Sequence, residues 1–249
     1  MRRTVVAACL CAAMGIASAS ALGAQANIAS SDAQQASEIT SAERLLFMQP
    51  HLSGVAPQTE LDYAVNYSGP PEKVSDTVRV RVMSLGNDKN DAQVTDRTGQ
   101  VEVPGGLPCN PVIVYFLEHD ITEMQQLTGG QRRYFQNRVR MALAAGPAIT
   151  PVSGESLGMS KHVNVRQIVI QPYLNDPNAA RLSQYTGKRY TFVFSDDVPG
   201  HVLMIRTEVP GPGNDFSHPQ QFETIVYQGA FKTPAGSPGK AGNAPSASR

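Results

Sequence analysis

The chain has 249 residues with 21 basic and 21 acidic side chains, so its formal net charge is zero at neutral pH. A balanced charge argues against a nucleic-acid-binding protein, because such proteins need a surplus of lysine and arginine to neutralise phosphates. Three cysteines are too few for a disulfide-rich scaffold, and the length is sufficient for an ordinary hydrophobic core.

The N-terminus has the pattern of a secretory signal peptide. Arg2 and Arg3 precede an apolar segment at 5–16, and small residues follow, with acceptable cleavage sites at 19–21 and 24–26. The apolar segment is too short to span a bilayer, and no later segment reaches the roughly 18 apolar residues of a membrane helix. We therefore predict a signal peptide over 1–26 and a periplasmic or secreted protein without a transmembrane segment.

Removal of the signal peptide changes both the charge and the cysteine count. Arg2 and Arg3 are lost, so 19 basic residues remain against 21 acidic ones, a net charge of −2. Cys9 and Cys11 are lost as well, which leaves Cys109 without a partner for an internal disulfide. We interpret Cys109 as a small residue beside a proline-rich turn rather than as a reactive thiol.

Composition sets the predicted domain boundaries. Residues 27–42 are small and polar and predict a flexible lead-in. Residues 232–249 consist largely of proline, glycine, alanine and serine without an apolar anchor, which predicts a disordered tail. The sequence between them, 43–231, is predicted to form a single domain.

Period-2 alternation of apolar and polar residues predicts about eight strands. They lie at 61–67, 78–82, 149–157, 163–173, 190–194, 202–209 and 222–228, with a weakly marked pattern through 94 and 101–103. Turn residues at 198–200 join two of them as a hairpin. Closely spaced strands favour an antiparallel sheet. We predict an α+β fold: a curved, mainly antiparallel sheet with an inserted helical pair and one short additional helix.

The stretch at 110–146 supplies the predicted helical pair. An unbroken run of β-branched, aromatic and aliphatic residues at 112–117 favours a strand covered on both faces over a short buried helical segment. Asp120 follows, with Glu123 at capping-box spacing, and predicts the start of a short helix.

The second predicted helix begins at Thr128, with Gln131 again at capping-box spacing. Its apolar stripe has the spacing i, i+4, i+7, i+8: Phe135, Val139, Ala142 and Leu143. Gly146 is a plausible C-terminal glycine. Further along, Asp176 followed by Pro177 predicts the start of the short additional helix.

Three sequence blocks carry a resemblance to other proteins. They are NPVIVYFLEHDITEMQQLTGGQRRYFQNRVRMAL, IVIQPYLNDP and KRYTFVFSDDVPG. Together they resemble a family of uncharacterised exported proteins of Gram-negative bacteria, over about 51–210. The resemblance implies a periplasmic location and no particular activity. In strand order and export alone, the chain is also similar to curved-sheet periplasmic folds that include lipoprotein carriers, which does not license a function.

One histidine lies among carboxylates just after the apolar run: Glu118, His119, Asp120 and Glu123. Such residues can act as acid and base or bind a metal ion. The cluster has no HExxH spacing and no second histidine, so the sequence favours a helix-start role. We therefore predict no catalytic residue, metal ligand or cofactor, and keep hydrolysis of envelope material by this cluster as an alternative function.

Two further patterns receive structural interpretations. Ser195, Asp196 and His201 are the residue types of a hydrolase triad, but a GxSxG elbow is absent and the segment predicts a hairpin turn. Gly129 and Gly130 precede a helix, where an anion can bind, but they lack a phosphate-loop pattern and predict a tight interhelix turn.

The main functional prediction is a non-enzymatic periplasmic binding or envelope-associated protein for an apolar ligand, lipidic or peptidic. The aromatic residues suited to such a pocket are Tyr63, Tyr67, Tyr134 and Phe135. A further alternative is a docking module that uses the basic face of the second helix: Arg132, Arg133, Arg138 and Arg140. The apolar pocket requires an enclosed apolar cavity, the hydrolase requires acidic side chains converging in a cleft, and the docking module requires neither.

Overall fold

The computed structural model describes residues 38–86, 89–157 and 164–232. The predicted signal peptide, residues 27–37 of the predicted lead-in and the predicted tail beyond 232 lie outside this part of the chain. Within it, none of the helices combines the length and the apolar character needed to cross a membrane.

In the part of the chain that the structure describes, nine strands form one open antiparallel sheet. They are β1 Thr59–Ser68, β2 Asp76–Gly86, β3 Lys89–Asp96, β4 Gly99–Val101, β5 Ile149–Ser153, β6 Asn164–Ile170, β7 Arg189–Ser195, β8 Val202–Val209 and β9 Gln221–Lys232. The predicted α+β fold with an antiparallel sheet is confirmed, with one strand more than the predicted eight.

The strand order is β4-β3-β2-β1-β9-β8-β7-β6-β5. Strands β1 to β4 run in succession from the centre to one edge, and β5 to β9 return in succession from the other edge to the centre. The first and last strands therefore pair in the middle of the sheet. The connection between β4 and β5 must pass from one edge to the other, and it contains the two long helices.

The helices are short except for this central pair. They are α1 Ser41–Glu43, continued by a π-helical turn Arg44–Met48, α2 Pro111–Thr128, α3 Arg132–Ala144 and α4 Ala179–Leu182. Short 3-10 turns cover Gly154–Leu157 and Ser183–Gly187. Helix α1 starts in the predicted lead-in, because Thr40 and Glu43 form a capping box there.

The predicted strand at 112–117 is wrong, because these residues form the first turns of α2. Asn110 is the N-cap, with its side-chain oxygen accepting the Val112 N–H, and Pro111 occupies the first turn. An N-cap followed by proline is a helix-start signal. The apolar run is continuous because the N-terminal half of the helix is buried over a wide surface: Val112, Ile113, Val114, Phe116 and Leu117.

Both predicted capping positions in this stretch are also wrong. Asp120 lies in the middle of α2, and Thr128 is its last residue. Gly129, at φ 67°, ends the helix in the left-handed conformation, and α3 begins after Gln131. The predicted apolar stripe of α3 is confirmed, with Phe135, Val139 and Leu143 buried.

The inner face of the sheet, which α2 covers, is organised in cross-strand rows. One row is apolar and extends from β1 to β5: Val65, Ile225, Ile205, Phe192, Ile168 and Ile149. Phe116 of α2 packs edge-on against Phe192 and Tyr190, with ring centroids 6.2 and 6.4 Å apart. The helix reaches across the sheet, since Tyr115 donates to Asp96 of β3 over 3.1 Å.

A buried polar network, the Asn110 anchor (His51, Tyr63, Asn110 and Gly200), holds the N-terminus of α2. The Asn110 amide donates to the Tyr63 hydroxyl over 2.8 Å and to the Gly200 carbonyl over 3.0 Å, and its backbone N–H donates to His51 Nδ1 over 3.2 Å. Gly200 has φ +80°, and a Cβ there would lie 2.5 Å from Leu61 Cδ1. Only glycine fits this approach.

Candidate functional site

A row of polar side chains follows the apolar row on the inner face of the sheet. Tyr67 pairs with Glu223, Glu223 with Thr207, and Thr207 with Tyr190, so one residue each from β1, β9, β8 and β7 lies in register. Antiparallel partners of this kind point to the same face. The C-terminal half of α2 lies above this row.

Asp120 of α2 is buried over the β7 end of this row. It accepts the Tyr190 hydroxyl over 2.6 Å and forms an ion pair with Lys188. The Tyr173 hydroxyl lies 3.1 Å from that of Tyr190. Burial by itself lowers the pKa of Lys188. The nearby carboxylates of Asp120 and Glu123 raise it by more than burial lowers it, so the net shift is upward. Lys188 is therefore charged, and the pair neutralises Asp120 inside the fold.

The β9 end of the row is less well balanced. Lys73, from the loop between β1 and β2, lies 2.5 Å from Glu123 of α2 and 3.6 Å from Glu223. The Glu223 side chain is only 8% exposed. The pKa of Glu223 is raised to about 7. Burial is the main cause, Asp120 and Glu123 act in the same direction, and Lys73 partly opposes them. This carboxyl group therefore changes its charge near neutral pH.

We call this group the acidic cleft: Lys73, Asp120, Glu123, Lys188 and Glu223. All of them except Asp120 line a cavity of about 30 Å³ between α2, the loop after β1 and the polar row. A cavity of that size has room for one or two water molecules or an ion. The cleft is narrow, and its charged side chains lie beside apolar ones such as Leu127 and Phe222.

His119 lies at the rim of the acidic cleft, one helical turn before Glu123. Its ring stacks on Tyr115, with centroids 6.1 Å apart and planes 13° apart. Burial lowers the pKa of His119, the Lys73 ammonium lowers it further, and nearby carboxylates oppose this. One ligand atom each of His119, Glu123 and Glu223 lies within 4.8 Å of the other two, which makes these residues the candidates for holding a metal ion.

The histidine-carboxylate cluster of the sequence analysis is only partly brought together. His119 and Glu123 meet at the acidic cleft, and Asp120 lies behind them in its pair with Lys188. Glu118 points elsewhere and pairs with Arg132 of α3. A helix separates neighbouring side chains by 100°, so four nearly consecutive residues do not share one face.

The four aromatic residues predicted for an apolar pocket do not share one site, although Tyr134 and Phe135 line the same groove. Tyr63 and Phe135 are fully buried in the core, and Tyr63 accepts the Asn110 amide. Tyr67 borders the acidic cleft, with Lys73 4.8 Å above its ring. Tyr134 borders an open groove of about 290 Å³ at the junction of α2 and α3, and donates its hydroxyl to Asp176.

The four arginines of the predicted docking face differ in their contacts. Arg132 pairs with Glu118, and Arg138 pairs with the buried Asp176 over 2.8 Å and donates to the Pro172 carbonyl. Arg133 and Arg140 are exposed on α3. Arg140 also donates to Asn137 Oδ1 over 3.4 Å, so three of the four arginines have intramolecular partners.

The triad-like residues of the β7–β8 turn have structural partners. The Ser195 hydroxyl is buried and accepts the Asp197 N–H over 3.2 Å. Asp196 pairs with Arg166 over 2.7 Å and lies 3.1 Å from His201 Nδ1. These contacts close the turn, in agreement with the predicted hairpin.

Sequence reasoning missed Lys73, Lys188, Tyr190 and Glu223. A signal for Glu223 was present, because alternation along β9 places it on the same face as Ile225, which is buried. A charged residue at an inward position of a strand is unusual and points to a buried partner. The partners come from four separate segments, and only strand register brings them together.

Comparisons with protein-family models, curated proteins and solved structures give no match to this chain. The resemblance to exported proteins of Gram-negative bacteria therefore stays a prediction.

Proposed function

We propose that the protein is an exported, non-enzymatic binding protein and that its acidic cleft binds a cation. The supporting observation is the buried carboxylate of Glu223. Its one ionic contact in the described residues is with the Lys73 ammonium, at 3.6 Å, which is longer than a hydrogen bond. A buried carboxylate without a donor is costly and is stabilised by any cation that reaches it.

The charge count of the acidic cleft supports a cationic ligand. Three carboxylates, those of Asp120, Glu123 and Glu223, face two ammonium groups, those of Lys73 and Lys188. When Glu223 is ionised, one negative charge is left uncompensated. An additional cation then binds favourably, because the cleft is partly desolvated and Coulomb interactions there are stronger than in water.

The cavity size favours an ion or a small cationic head group. A volume of about 30 Å³ does not enclose a lipid chain or a peptide. An apolar ligand, which the sequence predicts, fits better in the open groove lined by Tyr134 and Phe135, since Tyr63 is fully buried in the core.

The test is isothermal titration calorimetry on the untagged mature protein, freed of metals with a chelator. The probes are Zn²⁺, Ca²⁺ and propylammonium at pH 8. We expect saturable binding of at least one probe, weakened tenfold or more in Glu223→Gln. Glu118→Gln makes the same charge change on α2 but outside the acidic cleft, where Glu118 pairs with Arg132, and should bind as the parent does. Absence of binding by all three probes contradicts the proposal.

A second candidate function is hydrolysis of envelope material. It is favoured by the convergence of His119, Glu123 and Glu223 and by the pKa of Glu223, which burial raises to about 7 and so suits proton transfer at neutral pH. Incubation with purified peptidoglycan or phospholipid vesicles, followed by mass spectrometry of released products, tests it. Products that the Glu223→Gln variant does not release support hydrolysis, and their absence with the parent protein excludes it for these substrates.

A further inference from the structure

Two ligand-type residues project from one face of α2. His119 and Glu123 are four residues apart, so their side chains lie one above the other on the helix surface. Glu223, on the neighbouring strand β9, provides a third from a different rigid element. One imidazole nitrogen and two carboxylate oxygens, one per residue, all lie within 4.8 Å of one another.

This arrangement matches the dimensions of a metal centre. Bonds of about 2.0–2.2 Å from a metal to imidazole or carboxylate ligands place adjacent ligand atoms about 3.4 Å apart in tetrahedral geometry. The three atoms lie within 4.8 Å of one another, so a metal ion requires rotation of the His119 and Glu123 side chains to reach that separation. The cavity of about 30 Å³ beside them leaves room for a water molecule as a further ligand.

The acidic cleft already holds one positive group at this place. The Lys73 ammonium lies against Glu123 and Glu223 and 4.8 Å above the Tyr67 ring. The Lys73 side chain is a quarter exposed and comes from the loop between β1 and β2, so it can withdraw into solvent without disturbing the core. The position is thus suited to a cation, either the Lys73 ammonium or an ion from solution.

We propose that His119, Glu123 and Glu223 form a binding site for a divalent transition-metal ion such as Zn²⁺ or Co²⁺, and that the ion displaces the Lys73 ammonium. A mixed imidazole and carboxylate ligand set selects such ions over Ca²⁺ and Mg²⁺, which prefer oxygen ligands alone. The inference rests on the proposed cation-binding function and names the class of cation.

Cobalt titration of the untagged, chelator-treated mature protein tests this inference, because the visible absorption of Co²⁺ reports its ligands. We expect one equivalent to bind with bands typical of four- or five-coordination, and Zn²⁺ to displace it. His119→Gln and Glu223→Gln should each weaken binding tenfold or more. His218→Gln is the matched control, since His218 is exposed and lies outside the cleft.

The variant Lys73→Met separates displacement of the ammonium from simple coexistence. It removes the competing charge while it keeps the length of the side chain, so we expect Co²⁺ to bind at least tenfold more tightly than in the parent. Unchanged or weaker binding contradicts displacement. His119 is at the rim, so a loss of binding in His119→Gln is not explained by unfolding, and thermal unfolding of each variant checks this.

The outcomes distinguish the inference from the proposed function. If propylammonium or Ca²⁺ binds in a Glu223-dependent manner while Co²⁺ gives no spectrum, the metal site is wrong and the cation-binding function stands. If no probe binds, both are wrong. If Co²⁺ binds equally to the parent and to Glu223→Gln, its site lies elsewhere and the inference is overturned.

Discussion

The two halves of helix α2 rest on buried polar groups of opposite kinds. At the N-terminal end, the Asn110 anchor is made of neutral groups, and the Asn110 side chain uses both its oxygen and its amide in hydrogen bonds. At the C-terminal half, the acidic cleft contains five charged residues whose signs do not balance. The hydrogen bonds of the neutral anchor fix the start of the helix, although His51 Nε2 is buried without a partner. An unbalanced charged group, by contrast, retains capacity for a ligand.

The same contrast holds for the two buried titratable groups. Burial lowers the pKa of His51 in the Asn110 anchor from 6.5 to about 4, with His201 and Arg166 acting in the same direction. Burial raises the pKa of Glu223 from 4.5 to about 7. Both groups are thus neutral over most of the mildly acidic range, and their effects on stability have opposite dependence on pH.

Breaking the Asn110 anchor should have the largest effect on stability. Asn110→Ala removes the helix cap, worth about 1 kcal/mol, and leaves the buried Gly200 carbonyl and Tyr63 hydroxyl without their donor, at about 1–3 kcal/mol each. We expect the free energy of unfolding in urea to fall by about 3–7 kcal/mol. Asn137→Ala, on the exposed face of α3, is the control and should cost about 0.5 kcal/mol or less. A loss under about 1 kcal/mol in Asn110→Ala would show that α2 does not depend on the anchor.

Glu223→Gln tests the acidic cleft by its pH dependence. The folded protein binds the Glu223 proton more tightly than the unfolded chain, so the contribution of this residue to stability falls as pH rises from 4.5 through 7. The change amounts to at most about 3 kcal/mol. Relative to the parent, metal-free Glu223→Gln should therefore gain stability from pH 4.5 to 8 in urea titrations. A difference between the two proteins that is constant with pH would contradict the raised pKa.

His51→Asn tests the anchor in the same way and should give the opposite slope. The unfolded chain binds the His51 proton more tightly than the folded protein, so the stability provided by neutral His51 is present above pH 6.5 and is lost as pH falls towards 4. The expected loss in the parent is again at most about 3 kcal/mol. Asparagine retains an acceptor for the Asn110 N–H, and the variant should lose less stability than the parent on acidification. Equal losses on acidification would show that His51 is protonated in the folded state.

Glu118→Gln is expected to have the smallest effect. Glu118 lies on α2 between the two regions. It is 31% exposed and its partner Arg132 is 41% exposed, and ion pairs near the surface contribute about 0–1 kcal/mol. The free energy of unfolding should change by less than about 1 kcal/mol at every pH between 5 and 8. A larger change would mean that the charge of α2, rather than the cleft, controls the response of the Glu223 variant.

Local patterns in the sequence predict most of the fold and little of the site. Alternation predicted the strands because each packs one face on the core, and the stripe from Phe135 to Leu143 predicted the buried face of α3. The run at 112–117 gave a wrong strand because a widely buried helix lacks the polar positions that reveal its period. At this position the N-cap Asn110 followed by Pro111 correctly indicates the start of a helix.

Local sequence patterns do not predict the acidic cleft, because its residues are distant from one another in the sequence. Lys73, Glu123, Lys188 and Glu223 come from a loop, a helix and two regions of the second half of the chain. Their proximity depends on the register of β1, β9, β8 and β7, which no single segment specifies. The sequence did place His119 and Glu123 on a candidate list, and the structure adds the residues that give these two a common surrounding.

The central pairing of β1 with β9 has a consequence for how the chain assembles. Strands β1 to β4 can pair with one another early, but the partner of Tyr67 is Glu223, more than 150 residues later. Contacts between such distant segments slow folding, and the sheet stays in two separate parts until β9 arrives. For a chain delivered N-terminus first, through a pore or from a ribosome, the polar row under α2 forms last. The first strands meanwhile leave an unpaired edge on β1, a surface that a holding chaperone can recognise.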